Sequence, residues 1–142
     1  LELFGTMSFG EVADAAIREK LADWYIKSRG VELTRMRTLT AMSRGQTPGP
    51  ENSISKLVSA FKRQEIALFG MDLLDMGGVM MNRDATPMRA LFQEAALEAP
   101  SGRIAAGTDE ILRNIIGERV LGLPREIRVD KDLPFRDVPT SV

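Results

Sequence analysis

The sequence contains no cysteine and no histidine among its 142 residues. That removes disulfides, a thiolate nucleophile, an imidazole base and every common zinc site, so any chemistry rests on carboxylates, hydroxyls, amides or a bound cofactor. Neither sign of charge dominates: 19 Lys and Arg stand against 20 Asp and Glu, for a formal charge of −1. With both signs spread along the chain there is no electrostatic footprint for nucleic acid or an anionic membrane, and neither partner is expected. No apolar run approaches the ~20 residues of a membrane span, so no membrane insertion is expected. The start shows no basic n-region followed by an apolar core, and a cytoplasmic protein is the expectation.

What is present is helical periodicity. Apolar content of 44% with 27% charge suits one ordinary globular domain. Ser8 and Glu11 form a capping box, with Met7 and Val12 placed as a hydrophobic staple. From there Ile17, Leu21, Trp24, Ser28, Val31, Thr38 and Met42 follow helical spacing, broken only by Arg35, and predict a helix of about 34 residues, or ~50 Å. Gly45, Pro48, Gly49 and Pro50 mark a loop. Ile54, Leu57, Val58, Phe61, Leu68 and Met71 predict a second helix of about 26 residues ending near Gly77 and Gly78 and lying antiparallel to the first. A short helix is expected from Met88 to Glu98, broken by Pro100, Ser101 and Gly102, and a fourth from the Thr108 N-cap to Leu121, punctuated by Gly122 and Pro124. Asp109 and Glu110 sit in its first turn, where the helix dipole favours negative charge.

The fold class is therefore all-α, an up-down helical bundle. Residues 1–7 read as a linker or added preface, 8–124 as the bundle and 125–142 as an extended tail. A compact globule of this size has a radius of gyration of about 14 Å, far shorter than a ~50 Å helix, so the domain must be elongated. The shorter helices cannot cover the first, which needs a further helix or subunit. The stripe of Ile111, Leu112, Ile115, Ile116, Val120 and Leu123 is wide enough for contacts on two sides.

The segment Ile104-Ala105-Ala106-Gly107-Thr108-Asp109-Glu110 is a small-residue turn opening into a helix N-terminus. Such turns bring backbone N–H groups close to a ligand, although a plain capped helix is the simpler account of these residues alone.

The stretch Gly107-Thr108-Asp109-Glu110-Ile111-Leu112-Arg113-Asn114, continuing Ile115-Ile116-Gly117-Glu118-Arg119-Val120-Leu121-Gly122-Leu123-Pro124-Arg125-Glu126, resembles the C-terminal signature of the acyl-CoA dehydrogenase family. Leu112 stands where that family usually has Gln. Ile17-Arg18-Glu19-Lys20-Leu21-Ala22-Asp23-Trp24 is similar to the start of a long family helix, and Ser55-Lys56-Leu57 to the opening of the next. The likeness runs from about residue 11 to 139. It implies the C-terminal four-helix bundle of an FAD-dependent enzyme that oxidises acyl-CoA thioesters at the α,β bond, with the first bundle helix lacking and the fragment alone inactive.

By the same resemblance Gly107, Thr108 and Glu110 are the cofactor-binding residues, and FAD is the cofactor. The position before Gly107, where many members carry the catalytic Glu, is Ala106, so no catalytic residue is assigned. Either the base stands on the first bundle helix, as in some members, or another subunit supplies it, or the reaction has changed; the first is the leading account. The resemblance also predicts a Gly-Gly-x-Gly turn against a neighbouring subunit's FAD. Here Asp75 and Met76 replace two of its glycines and an earlier Gln falls near Asp72, so two acids would face a pyrophosphate. The implied partners are the acyl-CoA substrate, an identical or homologous subunit and an electron-transfer acceptor. A non-catalytic helical subunit of a heteromeric complex is the alternative.

Other features carry less. Ser53 and Lys56 spell an acyl-enzyme motif whose companion segments are absent, so they read as a helix cap. Met71, Met76, Met80, Met81 and Met88 suit the lining of an acyl or steroid pocket, but at a helix end core gap-filling is the expectation. Glu65 on the apolar stripe is expected to be paired, and Arg35, Arg37 and Arg44 to serve the end of the first helix.

Overall fold

A computed structural model of the chain describes residues 14–125 and 133–138. Among these the order is α1 (Ala15–Ser43), α2 (Asn52–Leu73), α3 (Leu91–Ile104) and α4 (Asp109–Arg119), with 3-10 turns at Asp75–Val79, Pro87–Ala90 and Phe135–Asp137 and no strand. The all-α class is as expected. α2 is the central helix, packing on α1, α3 and α4.

The first helix is shorter than the periodicity predicts, at 29 residues. Its cap is Asp14, whose backbone is extended and whose carboxylate accepts from the amides of Ala16 at 2.7 Å and Ile17 at 3.3 Å. Asp satisfies a helix N-terminus as well as Ser does, so Asp14 starts the helix later in the chain. The capping box expected at Ser8 and Glu11, with its Met7 and Val12 staple, lies outside the described residues, as do residues 1–7 and most of the 125–142 tail.

α1 and α2 run antiparallel, because their contacts rise along one as they fall along the other. The Trp24 and Phe69 rings meet edge to face with centroids 5.3 Å apart. Lys62 Nζ donates to Ser28 Oγ at 2.6 Å and Lys27 Nζ to Glu65 Oε2 at 3.2 Å. At the far end the Thr38 hydroxyl donates to Asn52 Oδ1 at 3.0 Å. Glu65 is thereby paired, as its place on an apolar stripe requires. The stripe read from the sequence is thus crossed by polar bridges where Lys27, Ser28 and Thr38 face α2.

α2 stops at Leu73 after 22 residues, short of Gly77. Asp75 takes a left-handed backbone, φ +49°, and Gly78 packs so tightly on Met71 that a Cβ there would strike the Met71 carbonyl. The methionines beyond do not fill core gaps: Met76, Met80, Met81 and Met88 are all exposed.

α3 is displaced from its expected span at both ends. Met88, Arg89 and Ala90 are left-handed, with φ of 55°, 55° and 58°, so no right-handed helix begins before Leu91. For L-residues this conformation costs about 1–2 kcal/mol each, which no sequence pattern announces. At the other end the helix runs through Pro100 to Ile104. Proline removes the amide that would bond the Ala96 carbonyl. The extra turn is held by Arg103, which bonds Asp109 Oδ2 at 2.6 Å and Gln64 Oε1 at 2.8 Å. Tertiary contacts there override local propensity.

The buried apolar residues, Trp24, Ala67, Ala90, Ala99 and Leu112, are mostly small. Small residues bring the helices close: a Cβ on Gly70 would come within 2.3 Å of the Phe92 ring. Tyr25, Ile26, Leu33, Met36 and Leu39 of α1 and Ile111 of α4 remain exposed, in accord with helices that offer more apolar face than this chain covers.

Candidate functional site

The turn between α3 and α4 is built by backbone geometry. Ala105 is extended, Ala106 is left-handed at φ +55° and Gly107 takes φ +103°, a value suited to glycine. A Cβ on Gly107 would reach Leu112 only at 3.6 Å, so conformation rather than space calls for glycine there. Lys56 Nζ donates to the Gly107 carbonyl, tying the first turns of α2 to this loop. Lys56 thus serves this turn, and no side chain caps the start of α2, where the sequence predicts a cap at Ser53 and Lys56.

Thr108 caps α4 as expected, its Oγ1 accepting from the Ile111 amide at 3.4 Å. Glu110, the next residue but one, is exposed on the first turn. Its carboxyl is held below the ordinary glutamate value, first by its own backbone N–H and then by the Thr108 hydroxyl. At neutral pH it is therefore an ionised acceptor. Gly107, Thr108 and Glu110 stand together at one helix mouth, and Ala106 precedes them on the same turn.

Asp109 sits in the first turn of α4 as expected, and its burial is what the structure adds. It is 3% exposed, and Oδ2 is held by Arg103 while Oδ1 is buried with no hydrogen-bond partner. The Arg103 guanidinium lies over the Phe61 ring, 5.2 Å from its centroid. With Gln64, Ile104, Thr108 and Glu110, this pair lines a cleft of about 240 Å³. The cluster was not legible in the sequence: Arg103 and Asp109 are six residues apart across a turn, and Gln64 comes from another helix.

The turn after α2, which the resemblance sets against a neighbouring subunit, has its own geometry. Asp72 and Asp75 are both exposed, while the Gly77 carbonyl accepts from Gln93 Nε2 at 3.0 Å and Gly78 is buried against Met71. Close packing within the chain calls for glycine at Gly78, whereas a Cβ on Gly77 would come no nearer than 3.9 Å to its neighbours.

Residues 6–121 match the family model described as acyl-CoA dehydrogenase, C-terminal domain. Acyl-CoA dehydrogenase IpdE1 of Mycolicibacterium smegmatis is 35% identical over 119 residues, covering 84% of this chain and 28% of that protein. Acyl-CoA dehydrogenase FadE34 of Mycobacterium tuberculosis is 31% identical over 125 residues, covering 88% of this chain and 16% of that protein. Among solved structures, one titled Tcur3481-Tcur3483 steroid ACAD superposes with a TM-score of 0.68 at 17% identity, over 82% of this chain and 31% of that one, a likeness of fold. The chain thus spans less than a third of the length of each of these proteins.

Proposed function

Because the chain belongs to the acyl-CoA dehydrogenase family and has the fold of its C-terminal helical domain, we propose that it is the cofactor-facing bundle of an FAD-dependent enzyme that oxidises the α,β bond of an acyl-CoA thioester. The observation that carries this reading is the turn at Gly107, with its left-handed glycine, capped Thr108 and ionised Glu110 at one helix mouth.

The groups present suit part of a dinucleotide. Thr108 supplies a hydroxyl, Glu110 an exposed acceptor, and Asp109 Oδ1 a buried acceptor lacking a donor. Two carboxylates favour hydroxyl and N–H groups over phosphates. Gly107, Thr108 and Glu110 would hold FAD through its polyol and ring N–H groups. FAD, when bound, supplies the acceptor for the hydride that leaves the β carbon. This chain then orients and binds. It does not remove the α proton, because the Ala106 methyl has no basic site.

The base, the acyl-CoA pocket and the route to an electron-transfer acceptor come from outside this chain, from further sequence of the same polypeptide or an identical or homologous subunit. The chain alone is inactive in this reading, and the assembled enzyme works in the cytoplasm. The test is to express the chain within its natural assembly and follow flavin absorbance: bleaching by an acyl-CoA is expected, with weaker flavin retention for Thr108→Val and Glu110→Gln. An assembled protein that never retains flavin overturns the proposal, as does acceptor reduction by the 142-residue chain alone.

Ala106 favours a second reading, in which the chain is the non-catalytic half of a heteromeric complex. Turnover would then appear only on adding the partner. A homo-oligomer that oxidises acyl-CoA unaided removes it.

A further inference from the structure

Only residues 104–108 separate Arg103 from Asp109, and among them Ala106 and Gly107 take left-handed backbones, with φ of +55° and +103°. An alanine in that region is unfavourable, and such a conformation persists only where its surroundings hold it. Here α2 holds it at two points. Lys56 Nζ donates to the Gly107 carbonyl. Further along the same helix, by about 12 Å at the α-helical rise, Gln64 Oε1 accepts from Arg103 Nη1 at 2.8 Å.

Arg103 is itself fixed on three sides. Its Nε and Nη2 both reach Asp109 Oδ2, at 2.6 and 2.5 Å, its Nη1 goes to Gln64, and its guanidinium lies over the Phe61 ring. A guanidinium presents its donors in a rigid planar fork, so its position dictates where the carboxylate stands. An ion pair this buried adds little net stability beyond what well-packed apolar side chains of the same volume would supply. Its distinctive gain is orientation. Asp109 stands between Thr108 and Glu110 in the chain, so anchoring it inward fixes the rotation of the first turn of α4 and the directions in which its two neighbours face.

We infer that Arg103 and Gln64 are positioning residues: the clasp from α2 through Arg103 to Asp109 holds Thr108 and Glu110 in register at the mouth of α4, and so sets flavin affinity without touching the flavin. Its consequence for affinity rests on the flavin reading above, whereas the clasp itself is open to test in the chain alone.

Arg103→Lys separates orientation from folding, because lysine keeps the charge beside Asp109 and loses the fork that spans to Gln64. Gln64→Leu leaves the ion pair intact and removes its anchor on α2, and it carries the same prediction should Arg103→Lys unfold. Gly70→Ala is the control, since it weakens the fold at Phe92, at the opposite end of α3 from Arg103. Glu110 reports the geometry: its carboxyl is lowered by its own backbone N–H and the Thr108 hydroxyl, and the charges that act on it are those of Asp109 and Arg113, not Arg103. In the 142-residue chain its carboxyl-carbon NMR midpoint should rise toward 4.5 in Arg103→Lys and in Gln64→Leu, and stay at the wild-type position in Gly70→Ala. In the assembled enzyme the flavin dissociation constant should rise about tenfold in Arg103→Lys, the scale of one misaligned hydrogen bond to a charged group, and stay near wild type in Gly70→Ala. A Glu110 midpoint unmoved by Arg103→Lys, one moved equally by Gly70→Ala, or equal flavin loss from the two overturns the clasp. A wild-type assembly that never retains flavin removes the flavin reading instead, and the titration in the chain alone still decides whether Arg103 and Gln64 hold the turn.

Discussion

Arg103 Nε lies 2.6 Å from Asp109 Oδ2, joining the end of α3 to the first turn of α4 beneath the Gly107 turn. The Asp109 side chain is 4% exposed and that of Arg103 32%. Removing one partner of a buried ion pair leaves the other charged and unsolvated, at a cost of about 3–5 kcal/mol. Arg103→Met should therefore lower the urea midpoint strongly, and combining it with Asp109→Leu should recover part of the loss. A loss in the double variant equal to the sum of the two single losses would show that the residues do not act as a pair.

Glu110 gives a pH signature. Its folded value is depressed, so it favours folding above the ordinary glutamate value of 4.5, and that contribution fades as pH falls through the folded value. A carboxyl-carbon NMR titration should place its midpoint below that of a peptide glutamate. Thr108→Val should move the midpoint back up, since one of its two hydrogen-bonding causes is gone. An unmoved midpoint would leave the backbone amide as the whole cause.

Two lysines between α1 and α2 titrate in opposite directions. Lys62 is lowered, first by burial and then by the charge of Lys27, whereas Lys27 is raised, chiefly by its hydrogen bond to Asp23. The penalty at Lys62 is full below its folded value and disappears as pH rises above the ordinary value of 10.5, where the support from Lys27 is being lost. Lys62→Met keeps the stem and removes the desolvated charge, so it should raise the melting midpoint by a few degrees. A lower midpoint would mean that the bond to Ser28 outweighs the burial.

Glycines in α2 and α3 should respond oppositely to the same change. Gly70→Ala drives a methyl against the Phe92 ring and should cost about 1–3 kcal/mol. Gly102→Ala meets nothing within 4 Å and should stabilise by about 0.5–1 kcal/mol. Thermal melts of both decide the matter.

How much of this was legible depended on how local each cause is. Thr108 as a cap, Gly107 as a turn and the existence of four helices follow from neighbours in sequence, and each was readable. α1 begins from the cap at Asp14, a residue type that sequence alone does not rank above its alternatives. Pro100 read as a break because its local effect is real, but Arg103 reaches contacts in α2 and α4 that no local window contains. The left-handed run at Met88, Arg89 and Ala90 has no glycine to advertise it. Asp109 illustrates the site itself: its place in the first turn was visible, its burial was not.

The central place of α2 has a consequence for how the domain opens. α1 on one side and α3 with α4 on the other are both held through that helix, so neither half can lose it and stay folded. Amide protons in the middle of α2, around Ala67, should exchange slowest and at the rate of global unfolding, while those at both ends of α1 exchange through local fraying. The chain would then behave as one cooperative unit whose resistance to proteolysis is set by its second helix, even though that is not its longest.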